Sequence, residues 1–497
     1  MTVINSNISA LKAQSSLTKN ARTLDTATER LSTGLRINSA KDDAAGLAIT
    51  NRMTAQINGL NQAVRNANDG IAMIATIEGS LTQSTAVLQR MRELAVQSAN
   101  GTNSTEDRQF LQAEMTQLNS ELDRIASQAR FNGMKVLDGT FTNREFQIGA
   151  NGSETIAVSI NSASSDKLGS YQLRSGSQDV VSDSAASTNL VSGADFSIFG
   201  NLGEATVGVS TGDDAREVTR LVNDVTSKTG VSASAVTKLK LSDLTDIGAL
   251  SFKLVGKNES AVTVTANIQN VSDLTDIASN INTFSSSTGV IAQLASDKKS
   301  IMLSSNEGYD ILINEFSTNG TSGSVSVTAL KGDSLADVVN PKTTAAATVL
   351  TSGSVDSATV TGDILFSSNS SFTVVGVSAA SASTDFVKSG PSSPDLIAVS
   401  SAMIGTPDKA QSAISTIDGA IATVSAMRAN LGAIASRLEK TVDALTSSSV
   451  NTAAARSRIL DTDYAQETSA LAKSQIIAQA STAMLAQANQ QPQQVLQ

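Results

Sequence analysis

The sequence predicts a mainly α-helical chain with β-rich outer domains. Long antiparallel coiled-coil or helix-bundle ends, with the N- and C-terminal segments paired, flank a variable α+β or β middle. Apolar residues recur at steps of three and four near both ends, which is the spacing of one helix face. Residues 1–150 and 408–497 carry net charges of +1 and 0, whereas residues 151–407 carry −11. Proline is absent before Pro341, and four of the five prolines lie between Pro341 and Pro407.

The first long helix is predicted from an apolar stripe that continues to a loop at Asn100-Gly101. The members of this stripe are Ile49, Met53, Ile57, Leu60, Val64, Ala67, Ile71, Ile74, Leu81, Leu88, Met91 and Leu94. A coiled coil and an ordinary helix-bundle core share this spacing, so periodicity alone leaves both open.

A second helix is predicted to begin after Ser104, because Asp107 lies three residues later as in a capping box. Its apolar stripe is Leu111, Met115, Leu118, Leu122, Ile125 and Ala129. Asn132-Gly133 ends it with residues that tolerate the left-handed conformation. We expect Asp138-Gly139 to form the turn of a hairpin.

The C-terminal end repeats the helical pattern. Its main stripe is Ile414, Ile417, Ile421, Val424, Leu431, Leu438 and Leu445. The extreme segments are amphipathic but poorer in large side chains. Their apolar residues are Ile4, Ile8, Leu11, Leu17, Leu24 and Leu31 at one end and Leu471, Ile476, Met484 and Leu485 at the other. Because both ends return to one place, we expect the two stripes to pair as antiparallel arms.

The middle is predicted to contain strands and short helices. Alternating residues favour strands over 261–268 and 372–377. Residues 214–231 and 273–290 form a weak internal repeat, in which a short amphipathic segment precedes Thr-Gly-Val. Each copy predicts a helix, a Thr-Gly turn and a strand, which indicates two related α+β modules.

Composition argues against catalysis and nucleic-acid binding. The chain has 36 Lys and Arg against 46 Asp and Glu, for a net charge of −10, whereas phosphate binding needs a basic face. Histidine, cysteine and tryptophan are absent, which excludes imidazole or thiolate catalysis, disulfides and the usual zinc ligands. We predict no catalytic residue, no cofactor and no enzymatic activity.

Two motifs allow a chemical and a structural interpretation. Gly208-Val-Ser-Thr-Gly212 matches a nucleophile elbow, but without histidine it is better explained as a turn after a strand. Four acid pairs offer oxygen ligands for calcium: Asp42-Asp43, Glu106-Asp107, Asp213-Asp214 and Asp461/Asp463. None lies in a twelve-residue calcium loop, and acids also stabilise helix starts. We therefore predict no metal site.

The start of the chain lacks a basic segment followed by an apolar one, and no apolar stretch approaches the ~20 residues that span a bilayer. We expect no membrane insertion, and either a cytoplasmic location or export without a cleaved signal peptide.

Several long segments together resemble bacterial flagellin, over about residues 1–160 and 410–497. They are Ala10–Ser15, Leu31–Gly46, Arg65–Ile71, Gln89–Asn100, Asn430–Ile434, Ala455–Ile459 and Leu485–Gln490. The acidic middle resembles the variable outer domains of that family only loosely. Its two Thr-Gly-Val repeats are similar to a module often inserted in flagellins.

The resemblance implies a domain plan. Residues 1–44 and 455–497 would form an inner coiled-coil domain that is disordered in the monomer. Residues 45–175 and 405–454 would form a helical shell with a hairpin, and residues 176–404 the outer domain or domains. Leu460 stands where the family usually has glutamate, and Val495-Leu-Gln497 lacks the longer apolar, basic tail of enteric relatives, which affects axial packing and immune sensing.

The resemblance also implies a function and partners. The chain would be exported unfolded through the type III flagellar route and assemble as a structural subunit of the extracellular flagellar filament, for swimming motility. Its partners would be copies of itself, an export chaperone, the filament cap and hook-junction proteins. The polymerisation stripe would be Ile4, Ile8, Leu11, Leu471, Ile476 and Leu485.

A host Toll-like receptor is a further implied partner, contacted at Gln89, Arg90, Leu94 and Glu114. In this hypothesis Arg90 and Glu114 supply charged contacts and Leu94 an apolar anchor. The alternative is that Arg90 and Glu114 are solvated surface groups and Leu94 packs inside the bundle.

Two other functions stay open from sequence. A hook-associated junction protein would cap growth instead of propagating it. A secreted adhesin would bind glycans as a monomer.

Overall fold

The structure is a computed structural model. It describes residues 7–175, 180–183, 189, 191, 193–258, 260–295, 297–320, 323–330, 347–376, 386–387 and 390–495. Ile4 of the polymerisation stripe, Val377 at the end of one predicted strand, and the last two residues of the chain lie outside these ranges.

Long helices occupy both ends, and strands and short helices occupy the middle, which confirms the predicted fold class. The helices are α1 (Ile8–Thr33), α2 (Ala44–Ala99), α3 (Thr105–Gln128), α4 (Ala215–Asp224), α5 (Thr226–Thr229), α6 (Thr275–Thr283), α7 (Ser285–Thr288), α8 (Pro407–Leu460) and α9 (Tyr464–Val495). A short 3₁₀ turn covers Val399–Ser401.

The strands fall into two small hairpins and the sheets of the middle. They are β1 (Arg130–Phe131), β2 (Met134–Lys135), β3 (Arg144–Gln147), β4 (Thr155–Val158), β5 (Gly169–Arg174), β6 (Val180–Asp183), β7 (Phe196–Phe199), β8 (Glu204–Val207), β9 (Ser232–Ser242), β10 (Gly248–Val255), β11 (Val262–Ile268), β12 (Ile291–Leu294), β13 (Ser300–Ser305), β14 (Ile311–Thr318), β15 (Ser324–Ala329), β16 (Thr348–Thr351), β17 (Ser357–Val360), β18 (Asp363–Ser368), β19 (Thr373–Gly376), β20 (Gly390–Ser392) and β21 (Asp395–Ala398).

The chain divides into two compact units. One unit contains Met1–Ala75, Asn143–Ser159 and Leu431–Gln497, and the other contains Thr76–Thr142 and Ile160–Asn430. We call them the terminal unit and the central unit.

In the terminal unit α1 and α9 run antiparallel, as predicted. The Asn20 side-chain amide donates to the Ser474 carbonyl over 2.7 Å, and Arg30 pairs with Glu467 over 3.2 Å. Gly34, with φ of 73°, ends α1 in the left-handed conformation that glycine adopts without strain. We call α1 and α9 together the terminal arm.

The first part of α2 pairs with the last part of α8 in the same unit. Ser449 Oγ donates to Asn61 over 3.0 Å, and Arg456 donates to the Thr54 hydroxyl over 3.2 Å. The β3–β4 hairpin is attached to α2, because the Asn66 amide donates to the Gln147 carbonyl over 3.0 Å. These bonds join segments that are distant in sequence into one bundle.

In the central unit α2, α3 and α8 form a packed helical core. Its apolar side chains are fully buried, and they include Leu81, Leu88, Met91, Leu94, Met115 and Leu122, as the stripes predict. The capping box is confirmed: Ser104 Oγ accepts from the Asp107 amide, and the Asp107 carboxylate accepts from the Ser104 amide. Ion pairs Glu78–Arg428 and Arg92–Asp418 lie at 2.6 Å on the surface of this bundle.

The predicted hairpin turn at Asp138-Gly139 is wrong. The Asp138 carboxylate accepts from the amide of Thr140 over 3.0 Å and from its hydroxyl over 2.7 Å, which makes a local side-chain turn. The strands pair instead around Asn132-Gly133, where both residues have positive φ. That dipeptide forms the two-residue hairpin, and α3 already ends at Gln128.

Antiparallel sheets build the rest of the central unit. One sheet has the order β11-β10-β14-β17-β6, and a second has the order β12-β13-β9-β18-β5-β21 with β15 and β16 attached. A third has the order β20-β19-β7-β8. The predicted strands 261–268 and 372–377 appear as β11 and β19, apart from Val377.

The internal repeat is confirmed as two like modules. In the first copy α4, α5 and Gly230 precede β9, and in the second α6, α7 and Gly289 precede β12. Gly230 and Gly289 have φ of 74° and 68°, so both copies use the left-handed conformation at the Thr-Gly turn.

Candidate assembly and recognition surfaces

The terminal arm leaves much of its apolar surface open to solvent. Only Asn20 and Ala27 of α1 are buried. Ile8, Leu11 and Ile476 of the predicted polymerisation stripe are between 62% and 67% exposed, and Leu471 and Leu485 are half-buried. The stripe is therefore an available surface and not a closed core.

Met484, which the apolar pattern of the C-terminal segment includes, is exposed as well. Sequence periodicity missed two further exposed residues on the same arm, Ile477 of α9 and Tyr464 at its start. The Tyr464 hydroxyl lies close to the space beside Gly34, where it would meet a Cβ at 3.2 Å. The sequence could have identified these residues only by their side-chain type, because large apolar side chains are scarce in this segment.

A short antiparallel crossing joins the arm to the long helices. The Arg36 amide donates to the Leu460 carbonyl over 2.6 Å, and the Thr462 amide donates to the Gly34 carbonyl over 3.0 Å. The Leu460 side chain is half-buried. The Arg36–Leu460 bond joins main-chain atoms and therefore does not depend on the Leu460 side chain.

The second surface surrounds Arg90 on α2. Arg90 makes ion pairs with Glu114 at 2.8 Å and with Glu93 at 3.1 Å. The Arg90 and Glu114 side chains are 50% and 43% exposed, and Gln89 is exposed as well. Hydrogen bonds to Glu114 and Glu93 raise the pKa of Arg90, so its guanidinium stays charged. The pair crosses from α2 to α3 and presents both charges to solvent.

Leu94 does not belong to this exposed group. Its side chain is fully buried, because it lies on the inward stripe of α2 together with Leu88 and Met91. The expectation of an apolar anchor at Leu94 is therefore wrong, and the interpretation of Leu94 as a core residue is right.

Each of the four acid pairs has one carboxylate at a helix start. The Asp43 carboxylate accepts from the Gly46 amide, and the Asp107 carboxylate accepts from the Ser104 amide. The Asp214 carboxylate accepts from the Glu217 amide. The carboxylate of Asp463 accepts from the Ala465 amide. Carboxylates in these positions satisfy free helix N–H groups and complement the helix dipole.

The segment that matches a nucleophile elbow in sequence forms a turn. Gly208–Gly212 follows β8, and Gly212 has φ of 86°. The Ser210 amide donates to Asp213 over 2.7 Å, so the segment leads into the start of α4. This arrangement fits the structural interpretation of the motif.

None of the helices within the described ranges combines the length and apolar character that crossing a membrane requires.

Comparisons with known proteins match both ends of this chain and one part of its middle. Residues 4–142 match the bacterial flagellin N-terminal helical region, residues 414–497 match the bacterial flagellin C-terminal helical region, and residues 195–245 match the flagellin hook IN motif. The last match includes the first copy of the internal repeat.

Full-length relatives show the same similarity. The B-type flagellin of Pseudomonas aeruginosa is 39% identical over 496 residues, which covers 99% of this chain and 98% of that protein. The flagellin of Salmonella typhimurium is 36% identical over 522 aligned residues, with 99% of each chain covered. Among solved structures, FliC from Burkholderia pseudomallei is 22% identical, covers 74% of this chain and 99% of its own, and has a TM-score of 0.30.

Proposed function

This chain belongs to the bacterial flagellin family and is a structural subunit of an extracellular flagellar filament, and on that premise we propose that the terminal arm makes the axial contacts between neighbouring subunits. The observation that carries this proposal is the row of exposed apolar side chains at Ile8, Leu11 and Ile476. Large apolar patches on a soluble surface mark sites of protein association.

The energetics favour coverage by further copies of the chain. Burying one such aliphatic side chain contributes about 1.5–3 kcal/mol. Residues 1–150 and 408–497 have almost no net charge, so close packing of like ends meets little electrostatic repulsion. The acidic residues 151–407 would repel neighbouring filaments if they face outward.

Elongation of filament seeds tests this proposal. We expect Ile8→Ser and Ile476→Ser to slow elongation strongly, because each removes an apolar contact made only in the filament. Ile247→Ser is the matched control, since Ile247 is 60% exposed and lies between β9 and β10 of the central unit. Equal elongation by all three variants would contradict the assignment of the arm.

The same assay separates a filament subunit from a junction protein. A subunit extends seeds continuously, whereas a junction protein adds once and stops growth. The junction interpretation is the weaker one, because full-length relatives at 36–39% identity are flagellins. An adhesin would bind glycans and leave seeds unchanged.

Export and assembly partners form a second part of the proposal. We infer that the chain leaves the cell unfolded without a cleaved signal peptide, engages an export chaperone and adds beneath a filament cap. The sparse burial of α1 supports this, because a weakly packed arm is easily kept unfolded. Intact-mass analysis of subunits from purified filaments should show no leader removed, and a shortened N-terminus would contradict the inference.

The Arg90 surface is proposed as a contact for a Toll-like receptor. Its support is the exposed, charged Arg90–Glu114 pair with Gln89 beside it, at positions taken from the family resemblance. Leu94 is excluded from this contact because it is buried. Charge-assisted hydrogen bonds to such a pair provide specificity in an interface.

A receptor reporter assay tests this contact with a matched control. We expect an Arg90→Ala, Glu114→Ala variant to signal less than wild type. The control is Arg124→Ala, Glu121→Ala, because that surface pair on α3 has similar exposure, 50% and 41%. Equal signalling by wild type and both variants would remove the receptor from the list of partners.

A further inference from the structure

An open cleft in the central unit is lined by several carboxylates. Its lining includes Asp213, Asp214, Glu217 and Asp310, with Arg216 as a counter-charge. Arg216 lies over the Tyr309 ring at 4.7 Å and faces Asp214 at 3.8 Å. Arg216 also lies 4.0 Å from Glu217, so the lining of the cleft holds four carboxylates and one guanidinium.

Three oxygen atoms accept from the side-chain nitrogen of Asn189. That nitrogen lies 3.1 Å from the Gly212 carbonyl, 3.1 Å from the Asp213 carbonyl and 2.6 Å from Asp310 Oδ2. An amide nitrogen has only two hydrogens, so it cannot satisfy three acceptors fully. The nitrogen occupies the centre of an oxygen-rich site.

Two other oxygens of this site lack partners. Asn189 is 8% exposed, and its Oδ1 and Asp310 Oδ1 are buried without a hydrogen bond from any residue in the described part of the chain. The backbone amide of Gly362 also approaches the Asp310 carboxyl. Buried oxygens without partners are rare and costly, and either a hydrogen-bond donor or a cation would satisfy them.

We propose that this cleft binds a calcium ion through Asp310, Asn189 and the carbonyls of Gly212 and Asp213. In the bound form the Asn189 amide turns over, so that Oδ1 takes the position of the nitrogen and contacts the ion. Which end of an amide carries the oxygen is assigned from the hydrogen-bond network. In that position Oδ1 would lie where the nitrogen now lies, 2.6–3.1 Å from the three acceptor oxygens, so all four oxygens could contact one ion at 2.3–2.6 Å.

The donor set favours calcium over magnesium. Calcium accepts carboxylate, amide and carbonyl oxygens in flexible geometry, whereas magnesium needs a near-ideal octahedron and keeps its waters. Among the described residues no three carboxylates converge on one point. We therefore expect the weak affinity of extracellular modules, about 10⁻⁴–10⁻³ M.

Terbium luminescence on the full-length monomer tests the proposal, because Tb³⁺ replaces Ca²⁺ and is excited through a nearby tyrosine. Tyr309 lines the cleft, and the chain has three tyrosines and no tryptophan. We expect sensitised emission that saturates with one ion per chain and is displaced by Ca²⁺ but not by equal Mg²⁺. Tyr309→Phe should lose the emission while Ca²⁺ titration calorimetry still shows binding.

Two variants define the ligands. Asp310→Asn should abolish Ca²⁺ heat, and Asn189→Asp should increase affinity by supplying a second carboxylate. Asp276→Asn, at an exposed acid of α6, is the control and should bind as wild type. Absence of Ca²⁺ heat in the wild-type chain would overturn the proposal, as would undiminished binding by a folded Asp310→Asn variant. Seed elongation is independent of these outcomes, since the cleft residues lie outside the arm.

Discussion

Asn20, near the middle of α1, donates its side-chain amide to the main-chain carbonyl of Ser474 in α9 over 2.7 Å, and both residues are buried. Near the far end of the arm, Asn7 makes the same type of bond with the Ala488 carbonyl over 2.8 Å. Since Asn20 and Ala27 are the buried residues of α1, a few polar bonds and a thin apolar seam hold α1 to α9. We therefore predict that the arm depends on additional contacts for its order.

The first prediction concerns this polar bond. Asn20→Ala removes a buried hydrogen bond that contributes about 1 kcal/mol. We expect filaments of this variant to melt at a lower temperature than wild type. The main unfolding transition of the monomer should not move, because α1 contributes little to it. Calorimetry of filaments and of monomers measures both quantities.

Asn282→Ala provides the opposite control. Asn282 donates to the Ala292 carbonyl and accepts from its amide, both over 2.8 Å, inside the second repeat module. Loss of the Asn282 side chain should lower the unfolding temperature of the monomer and leave seed elongation intact. A lower monomer transition for Asn20→Ala as well would show that the arm is already folded before assembly.

The second prediction uses the glycine of the first repeat module. Gly230 has φ of 74°, so Gly230→Ala should destabilise the monomer by about 1–2 kcal/mol. Gly432→Ala is the matched change in α8, where an added Cβ meets nothing within 4 Å. This second change should be neutral or stabilising by up to about 1 kcal/mol. Urea unfolding of both variants checks the opposite signs.

Leu94 shows which sequence evidence predicts burial. Its place in an apolar stripe predicts an inward side chain, while family resemblance predicts an exposed contact, and the structure agrees with the stripe. Apolar periodicity identifies the face of a helix that packs inward, and therefore indicates directly where a side chain on that helix points. A residue position transferred from a family resemblance gives no such information about how the side chain packs in this chain.

Local sequence does not predict the structure of a segment where contacts with distant segments determine it. The hexapeptide Ser-Asp-Leu-Thr-Asp-Ile occurs at 242–247 and at 272–277. The first copy leaves β9 as a loop with Asp243 at φ of 56°, whereas the second leads into α6. Identical residues thus adopt different structures, because pairing of β9 with β13, β15 and β18 is set by remote strands. The cleft around Asp310 was unpredictable for the same reason, since Asn189 and Asp310 are 121 residues apart.

The third prediction is that the acidic middle is dispensable for assembly. We expect a chain that lacks residues 190–390, with the two stubs joined, to elongate seeds. The structure supports the choice of boundaries, because β21 pairs directly with β5, with Ala398 opposite Gly169 and Asp395 opposite Gln172. The β5–β21 pair is therefore retained after the deletion. A deletion protein that folds, by circular dichroism, yet never elongates seeds would place the middle in the axial lattice.

The last prediction couples order in the arm to assembly. Residues 1–40 and 455–497 should exchange their amide protons rapidly in the monomer and slowly in the filament. Ordering each residue of a helix costs about 1–2 kcal/mol of backbone entropy, and α1 offers few buried side chains to offset it. The helix from Leu81 to Leu94, by contrast, has a continuous buried stripe and should be protected in both states. Hydrogen exchange followed by mass spectrometry distinguishes the segments.

Strong protection across Ile8–Leu31 at monomeric concentrations would contradict the coupling, because the arm would then be folded before any neighbour covers Ile8, Leu11 and Ile476. A chain trimmed of both arms should remain a stable monomer that cannot extend seeds, which separates loss of assembly from loss of folding.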